Sequence, residues 1–519
     1  MRIAIYLLFL TLSATVAFAD TQQEKKNIIF ILADDMAYRD LSCLGQEHFA
    51  TPNIDRLANE GRIFTNAYTG GPWCAPSRTS LLLGRNGMNF LPTRDEEGNV
   101  SFRPTVANIL KKGGYSSCVL GKWHMSEGQD SWALKVKDHE DLCRKTNWSQ
   151  MPWNRGFDVS RIGYRAGFDS RHGNPYFPQI IETGDYEHIT IPENQHIDGK
   201  HIWKPNNYNE KAQFIDKNGH DATKLMYSET FYRKEAVKFM QERSESPFFL
   251  FYASPLVHSP IQTPDYSKFK DKESWPLVHK VYASMVEELD QSVGVLLDEV
   301  HALGLSKSTL IIFASDNGYS GYTVIKSMLP KDRRYEERRH NDDPIFQNKG
   351  EWCQSKFSTM NGGVIVPFIA WCPETVPAGT KTNRAINFCD FMATAAEIAG
   401  VELGPGETDG VSFLPLLEGR DASQKVRPSM IWPRSTSSFY NGLSVRDYNK
   451  NASPDERVIP NAALLDERWY AIDVNKSIYI FDTFKDPGMR NDISMERTDL
   501  LSKAKEAFAS LPASEREYP

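Results

Sequence analysis

Two kinds of hydrophobic pattern alternate along the chain. Short unbroken apolar runs occur at Asn27–Ala33, Ser116–Leu120, Pro247–Ala253, Thr309–Ala314 and Val364–Trp371. Runs without a polar face predict strands buried on both sides of a sheet. Arg62 to Tyr68 reads as a further extended segment. Between these runs the spacing changes. Val278, Val281, Met285, Leu289, Val293, Leu296, Val300 and Leu303 recur every three or four residues, which predicts a long amphipathic helix. Shorter helices are expected over Thr51–Glu60, Pro104–Lys112, Asp221–Arg243 and Asp390–Ala399, with Gly113-Gly114 and Gly400 as stops. Alternation of this kind predicts an α/β fold with a large, mostly parallel central sheet flanked by helices. Beyond Gly419 the pattern shifts to shorter aromatic-rich strands at Ser429–Trp432, Arg468–Val474 and Ser477–Phe481, then a helix over Thr498–Ser510. A smaller C-terminal antiparallel sheet plus helix follows from that. The expected divisions are 1–19, 20–425 and 426–519.

The first of these divisions is not part of the fold. Met1-Arg2, the apolar Ile3–Leu12 and the small-x-small ending Ala17-Phe18-Ala19 have the layout of a signal peptide cut after Ala19, which implies a secreted or periplasmic protein. The run is too short, and too interrupted by Thr11, Ser13 and Thr15, to span a bilayer. Of 519 residues, 40% are hydrophobic and 24% charged, which excludes a disordered or fibrous chain. A net charge of −7 argues against nucleic acid or an anionic membrane as a partner. Ser126 to His220 is irregular, and Arg155, Arg161, Arg165, Arg171 and His172 lie in it. A long structureless stretch of this kind usually covers or shapes a site. The basic cluster Lys331 to His340 reads first as a solvated loop and second as a polyanion-binding lid. Seven cysteines leave an odd thiol after any pairing, and their spacing forms no metal-binding set.

Candidate chemistry gathers at the ends of the apolar runs, where open parallel sheets hold their ligands. Asp34-Asp35 follows one run and Asp316-Asn317 another. Adjacent carboxylates repel unless a cation joins them, and an all-oxygen donor set suits a hard ion such as Ca²⁺ or Mg²⁺. Cys74-Ala75-Pro76-Ser77-Arg78 opens a short helix that Leu81, Leu82 and Leu83 bury and Gly84 stops. Cys74 therefore stands at a helix N-terminus, which favours an anion, and Arg78 shares its face. Lys122 and His124, two apart in an extended segment, project to one side while Trp123 faces the other. His258 follows the Pro247–Ala253 run, and Lys356 precedes Gly362-Gly363.

In this order, these motifs resemble the type I sulfatases, the Cys-type formylglycine-dependent family of the alkaline phosphatase superfamily. The resemblance runs through Asn27–Asp35, Thr51-Pro52-Asn53-Ile54-Asp55, Cys74–Arg78, Gly114–His124, Ser315-Asp316-Asn317-Gly318 and Asp409-Gly410-Val411-Ser412. It implies that Cys74 is oxidised to formylglycine by a formylglycine-generating enzyme. It further implies that Asp34, Asp35, Asp316 and Asn317 hold one Ca²⁺ together with residue 74, and that Arg78, Lys122, His124, His258 and Lys356 line a sulfate pocket. The chain departs from the family at Gln354-Ser355-Lys356-Phe357, where Gly-Gly-Lys-Gly is usual, at Asn361–Ile365, and at Ala37-Tyr38-Arg39. Arg39 is accordingly a candidate to reach the substrate.

The implied reaction is hydrolysis of a sulfate monoester, with a sulfated carbohydrate favoured as substrate. Bound metals dominate local charge, and an anionic ester must meet a pocket that neutralises it. Two rivals use the same scaffold. One is a phosphodiesterase or phosphonate monoester hydrolase; the other is a catalytically dead, secreted glycan-binding protein.

Overall fold

The computed structural model describes residues 25–85, 103–124, 152–163, 228–258, 263, 265–321, 343–433, 461–474 and 477–511, with six further two-residue strand segments. The segment 1–19, the cluster 331–340, and Arg165, Arg171, His172 and Cys143 lie outside the described residues.

The predicted apolar runs lie side by side. Asn27–Ala33 pairs in parallel with Phe248–Ala253 on one flank and Thr309–Ser315 on the other. Ser116–Lys122 and Val159–Gly163 continue the parallel order beyond Phe248–Ala253. On the opposite edge Phe368–Trp371 runs antiparallel to Thr309–Ser315, followed by Arg62–Phe64 and Thr380–Thr382. Among the described residues the sheet has ten strands and is mixed, with the parallel strands at its centre.

Strand periodicity divides the core into two layers. Ile29, Ile31 and Ala33 face the long helix Leu277–Ala302 together with Ser228–Glu242 and Pro52–Glu60. Ile28, Phe30 and Leu32 face Cys74–Leu83, Val106–Lys112 and Asp390–Ala399. Burial on both faces explains why these runs carry no polar alternation. The helix Cys74–Leu83 ends where the sequence indicates, at Gly84 with φ +62°. Pro76 sits at its third position rather than its first.

Two expected segments are broken in the structure. Arg62 to Tyr68 divides into Arg62–Phe64 and Ala67–Tyr68, the latter paired with Ile386–Asn387. Val364 to Trp371 divides into a short helix, Asn361–Val364, and the strand Phe368–Trp371. Polar Thr65-Asn66 separates the first pair, and Pro367, which lacks a backbone N–H, precedes the second strand; hydrophobic content alone does not weigh these local breakers.

The C-terminal sheet is antiparallel, in the order Ser429–Trp432, Asn461–Leu465, Trp469–Val474, Ser477–Asp482. The helix Thr498–Ala509 covers one face through Leu500, Ala504 and Phe508. The other face meets Tyr68, Val364 and Ile365, and Trp432 stacks on Tyr470 at 5.7 Å. Six cysteines, at 43, 74, 118, 353, 372 and 389, carry free thiols. No helix among the described residues is long and apolar enough to cross a membrane.

Candidate active site

The carboxyl ends of the central parallel strands converge on one pocket. Asp34 and Asp35 leave Asn27–Ala33, and Asp316 and Asn317 leave Thr309–Ser315, its direct neighbour in register. The backbone N–H of Asp35 donates to Asp316 Oδ1 at 3.1 Å, and Asn317 Nδ2 donates to Asp35 Oδ1 at 2.9 Å. Strand pairing thus sets the spacing of the acidic groups. Asp35 has φ +64°, a conformation that costs a non-glycine residue about 1–3 kcal/mol and concentrates at functional sites.

Basic groups enter from other elements. Arg78, on the helix that begins at Cys74, is fully buried and places Nε 2.8 Å from Asp316 Oδ2. Its Nη1 donates to the carbonyl of Lys122 at 2.9 Å, tying this helix to the strand Ser116–Lys122. Lys122 Nζ lies 2.6 Å from Asp34 Oδ2, both groups being fully buried. Trp123 turns away to pack on Phe157, as its alternation with Lys122 and His124 requires. His124 follows at φ +52°. His258 leaves the strand Phe248–Ala253 and brings Nε2 to 3.6 Å from Asp35 Oδ2.

Lys356 arrives on a loop. Its Nζ donates to Asp35 Oδ1 at 2.5 Å and to Cys74 Sγ at 3.4 Å. The loop packs closely on Gly363: a Cβ there would stand 2.0 Å from the carbonyl oxygen of Ser358. Asp34, Asp35, Cys74, Arg78, Lys122, His124, His258, Asp316, Asn317 and Lys356 therefore lie in one cluster, whereas Arg155 donates to the carbonyl of Arg103 and Arg161 pairs with Glu235. The Arg39 side chain lies along Gly45 and Gly350 instead.

The donor set fits a hard cation. Asp34 Oδ1 and Asn317 Oδ1 are buried oxygens with no hydrogen-bond partner, a costly arrangement unless a ligand meets them. Ligand atoms of Asp34, Cys74 and Asp316 lie within 4.8 Å of one another, as do those of Asp34, Asp35 and His258. Burial, followed by repulsion from Asp34, raises the pKa of Asp316, a tension that a divalent ion would relieve. Three carboxylates offset Arg78, Lys122 and Lys356, so a bound divalent ion leaves the pocket about two charges positive.

Burial also sets the state of the other groups. It raises the Cys74 thiol, and Lys122 and Lys356 beside it do not reverse the rise, so this cysteine is no ready thiolate. His124 is pushed well below the ordinary histidine range by burial and then by Lys122, Arg78, Lys356 and His258. It is neutral near pH 7 and able to accept a proton. Asp35 is held well below the usual carboxylate range: burial opposes ionisation, but Lys356, His258 and Lys122 together outweigh it.

The model of the Sulfatase family matches residues 26–401, most of the chain. The chain belongs to the sulfatase family. Its relatives in that family are sulfuric ester hydrolases. N-acetylgalactosamine-6-sulfatase of Mus musculus is 27% identical over 431 residues, covering 80% of this chain and 70% of the relative. Steryl-sulfatase of Homo sapiens is 27% identical over 452 residues, covering 76% and 70%. Among solved structures, Ps i-CgsB in complex with k-i-k-neocarrahexaose superposes with a TM-score of 0.65 at 25% identity, over 93% of this chain and 92% of that one. Phosphonate monoester hydrolase of Agrobacterium radiobacter shares the fold, with a TM-score of 0.60 at 18% identity over 93% and 95%.

Two groups that shape this site are not among the sequence candidates. Glu229 is fully buried and accepts from Tyr252 Oη at 2.8 Å and Ser254 Oγ at 2.7 Å. Ser254 Oγ in turn accepts from the N–H of Leu256, whose carbonyl accepts from the N–H of Asp34 at 2.7 Å. Phe357, beside Lys356, has φ +73° and a ring 38% exposed. An isolated acid on a helix looks ordinary in sequence, whereas Phe357 is signalled only by its place in Gln354–Phe357, where Gly-Gly-Lys-Gly is usual.

Proposed function

We propose that this sulfatase hydrolyses a sulfate monoester on a carbohydrate, using a formylglycine made from Cys74. The observation that carries the mechanism is the setting of Cys74: buried, protonated, at a helix N-terminus, and 3.4 Å from Lys356 among carboxylates suited to a metal. A thiol so placed is poorly suited to attack but well placed as a precursor. As a hydrated aldehyde, residue 74 supplies two hydroxyls, one to attack sulfur and one whose deprotonation releases sulfate. Asp34, Asp35, Asp316 and Asn317 would hold the cation, which we assign as Ca²⁺ from its oxygen donors; when bound it would supply positive charge that favours ionisation of a hydroxyl and offsets the sulfate.

The remaining steps belong to the surrounding side chains. Arg78, Lys122 and Lys356 orient and neutralise the sulfate oxygens. Neutral His124 takes the proton from the second hydroxyl. His258 or Lys356 protonates the departing sugar oxygen, a contribution worth about 10² to 10⁴ in rate. The carbohydrate assignment is supported by a relative named N-acetylgalactosamine-6-sulfatase and by the similar solved structure of Ps i-CgsB in complex with k-i-k-neocarrahexaose. We further assign residues 1–19 as an export signal and 426–519 as a C-terminal subdomain, the latter supported by its separate four-stranded sheet. Maturation requires a formylglycine-generating enzyme.

Mass spectrometry of the peptide containing residue 74 is expected to show a species lighter than the cysteine form. A screen of regiodefined sulfated saccharides, run beside aryl sulfates and phosphonate esters, identifies the substrate. A Cys74→Ala variant with full sulfatase activity would overturn the mechanism.

A further inference from the structure

Two aromatic rings flank the reacting centre from opposite sides of the chain. Trp73 immediately precedes Cys74, and Phe357 immediately follows Lys356, whose side chains meet at 3.4 Å. A backbone hydrogen bond of 2.7 Å from Phe357 N–H to the carbonyl of Pro72 locks the two segments in register. As a result the rings lie 6.2 Å apart, tilted by 35°. The ammonium of Lys356 stands 5.4 Å from the Phe357 ring centre, within cation–π range.

The backbone at Phe357 makes this arrangement unlike incidental packing. At φ +73° glycine is the natural residue, and a side chain there is strained. The chain nevertheless carries a large aromatic at that position, and 38% of it remains exposed. Burial of apolar surface does not explain a strained, partly exposed ring. Strained positions that persist concentrate at ligand-binding sites.

We propose that Trp73 and Phe357 form a stacking platform for the pyranose ring that carries the sulfate. The C–H face of a sugar packs on aromatic rings, while its ester oxygen points past them toward Cys74 and Lys356. Aromatic walls with few polar anchors are the usual construction of a small-molecule site. The platform selects for a ring attached directly to the sulfate and discriminates against acyclic esters. This inference rests on the carbohydrate-sulfate reading above.

The test uses the mature full-length enzyme with sulfated mono- and oligosaccharides. Phe357→Gly removes the ring and, because glycine accepts φ +73°, leaves the fold at least as stable. The expected result is a KM on the saccharide raised about tenfold with kcat changed less than about threefold. Phe357→Tyr is expected to keep KM within about twofold of wild type. An unchanged KM in Phe357→Gly overturns the platform, as does a fall in kcat at constant KM, which would mean that Phe357 acts only by positioning Lys356. Wild-type enzyme that turns over aryl sulfates but no sulfated saccharide overturns the carbohydrate reading itself, and the platform with it.

Discussion

The ammonium of Lys356 lies 3.4 Å from the sulfur of Cys74. The same nitrogen donates to Asp35 Oδ1 at 2.5 Å, so one side chain spans the proposed nucleophile position and a carboxylate of the proposed metal site. Burial disfavours its charge, but Asp35 and the other acidic neighbours raise its pKa, and it is a firm cation at any working pH. Lys356→Ala is therefore expected to lower kcat by about 10² or more. Steady-state kinetics on an aryl sulfate would reveal this. Retention of more than about a tenth of wild-type kcat would count against a catalytic role.

The unpartnered oxygens of Asp34 and Asn317 make a second prediction. If a cation binds the folded site and not the unfolded chain, it stabilises the fold by mass action, about 2.7 kcal/mol at a concentration 100 times Kd. Thermal melts of chelator-treated protein should rise on adding Ca²⁺. Asp316→Asn removes one charge from the donor set and should abolish most of that rise; because it also breaks the buried pair with Arg78, the rise is compared with each protein's own ion-free melt. Equal Ca²⁺-dependent shifts in the two proteins would exclude Asp316 as a ligand.

Glu229 tests how the strand ends are held. Its carboxylate fixes Ser254, Ser254 fixes the N–H of Leu256, and Leu256 and Val257 exchange backbone hydrogen bonds of 2.7 Å with Asp34. Glu229→Ala strands the hydroxyls of Tyr252 and Ser254 in a dry interior, at a cost of about 2–4 kcal/mol. Because Asp34 and His258 both depend on this segment, kcat should also fall, by about tenfold. Glu229→Gln keeps an acceptor and should restore most of the stability. Chemical denaturation beside steady-state kinetics separates the two effects.

The sequence made the centre of the sheet legible because strands buried on both faces must be apolar throughout, as Phe30 and Phe251 are. The candidate site was legible for a related reason. Asp34, Asp35, Asp316 and Asn317 interrupt such runs at the ends where a parallel sheet places its ligands. The strand Asn461–Leu465 escaped notice. It is rich in alanine and leucine, and its hairpin turns through Asp466 and Glu467 at φ +48° and +62° without the asparagine or glycine that marks such turns. Phe357 showed in the sequence only as a departure from a usual glycine, because neither its backbone strain at φ +73° nor its exposure is written in residue type. Arg39 looked available for substrate because nothing in its neighbours reveals the Gly45 and Gly350 surfaces that receive it.

Asp40 gives a prediction independent of the catalytic groups. It is fully buried, accepting from Tyr282 Oη at 2.6 Å, Ala37 N–H at 2.8 Å and Asn348 Nδ2 at 2.9 Å. Burial outweighs these donors and pushes its carboxyl up to about 6. The folded state thus binds this proton more tightly than the unfolded chain, whose aspartate titrates near 3.8. Its stabilising contribution is complete below that value and is lost as pH rises through about 6, amounting to about 3 kcal/mol across the window. Asp40→Asn removes the titration. The new amide N–H₂ would face Asn348, whose Oδ1 is buried without a partner and becomes an acceptor once that amide flips. The variant should therefore match or exceed wild-type stability at pH 8 and lose its advantage near pH 4. Urea denaturation of both proteins from pH 4 to 8 measures the difference, in which the other titrating groups cancel. A difference that does not change with pH would mean that Asp40 ionises normally inside the fold.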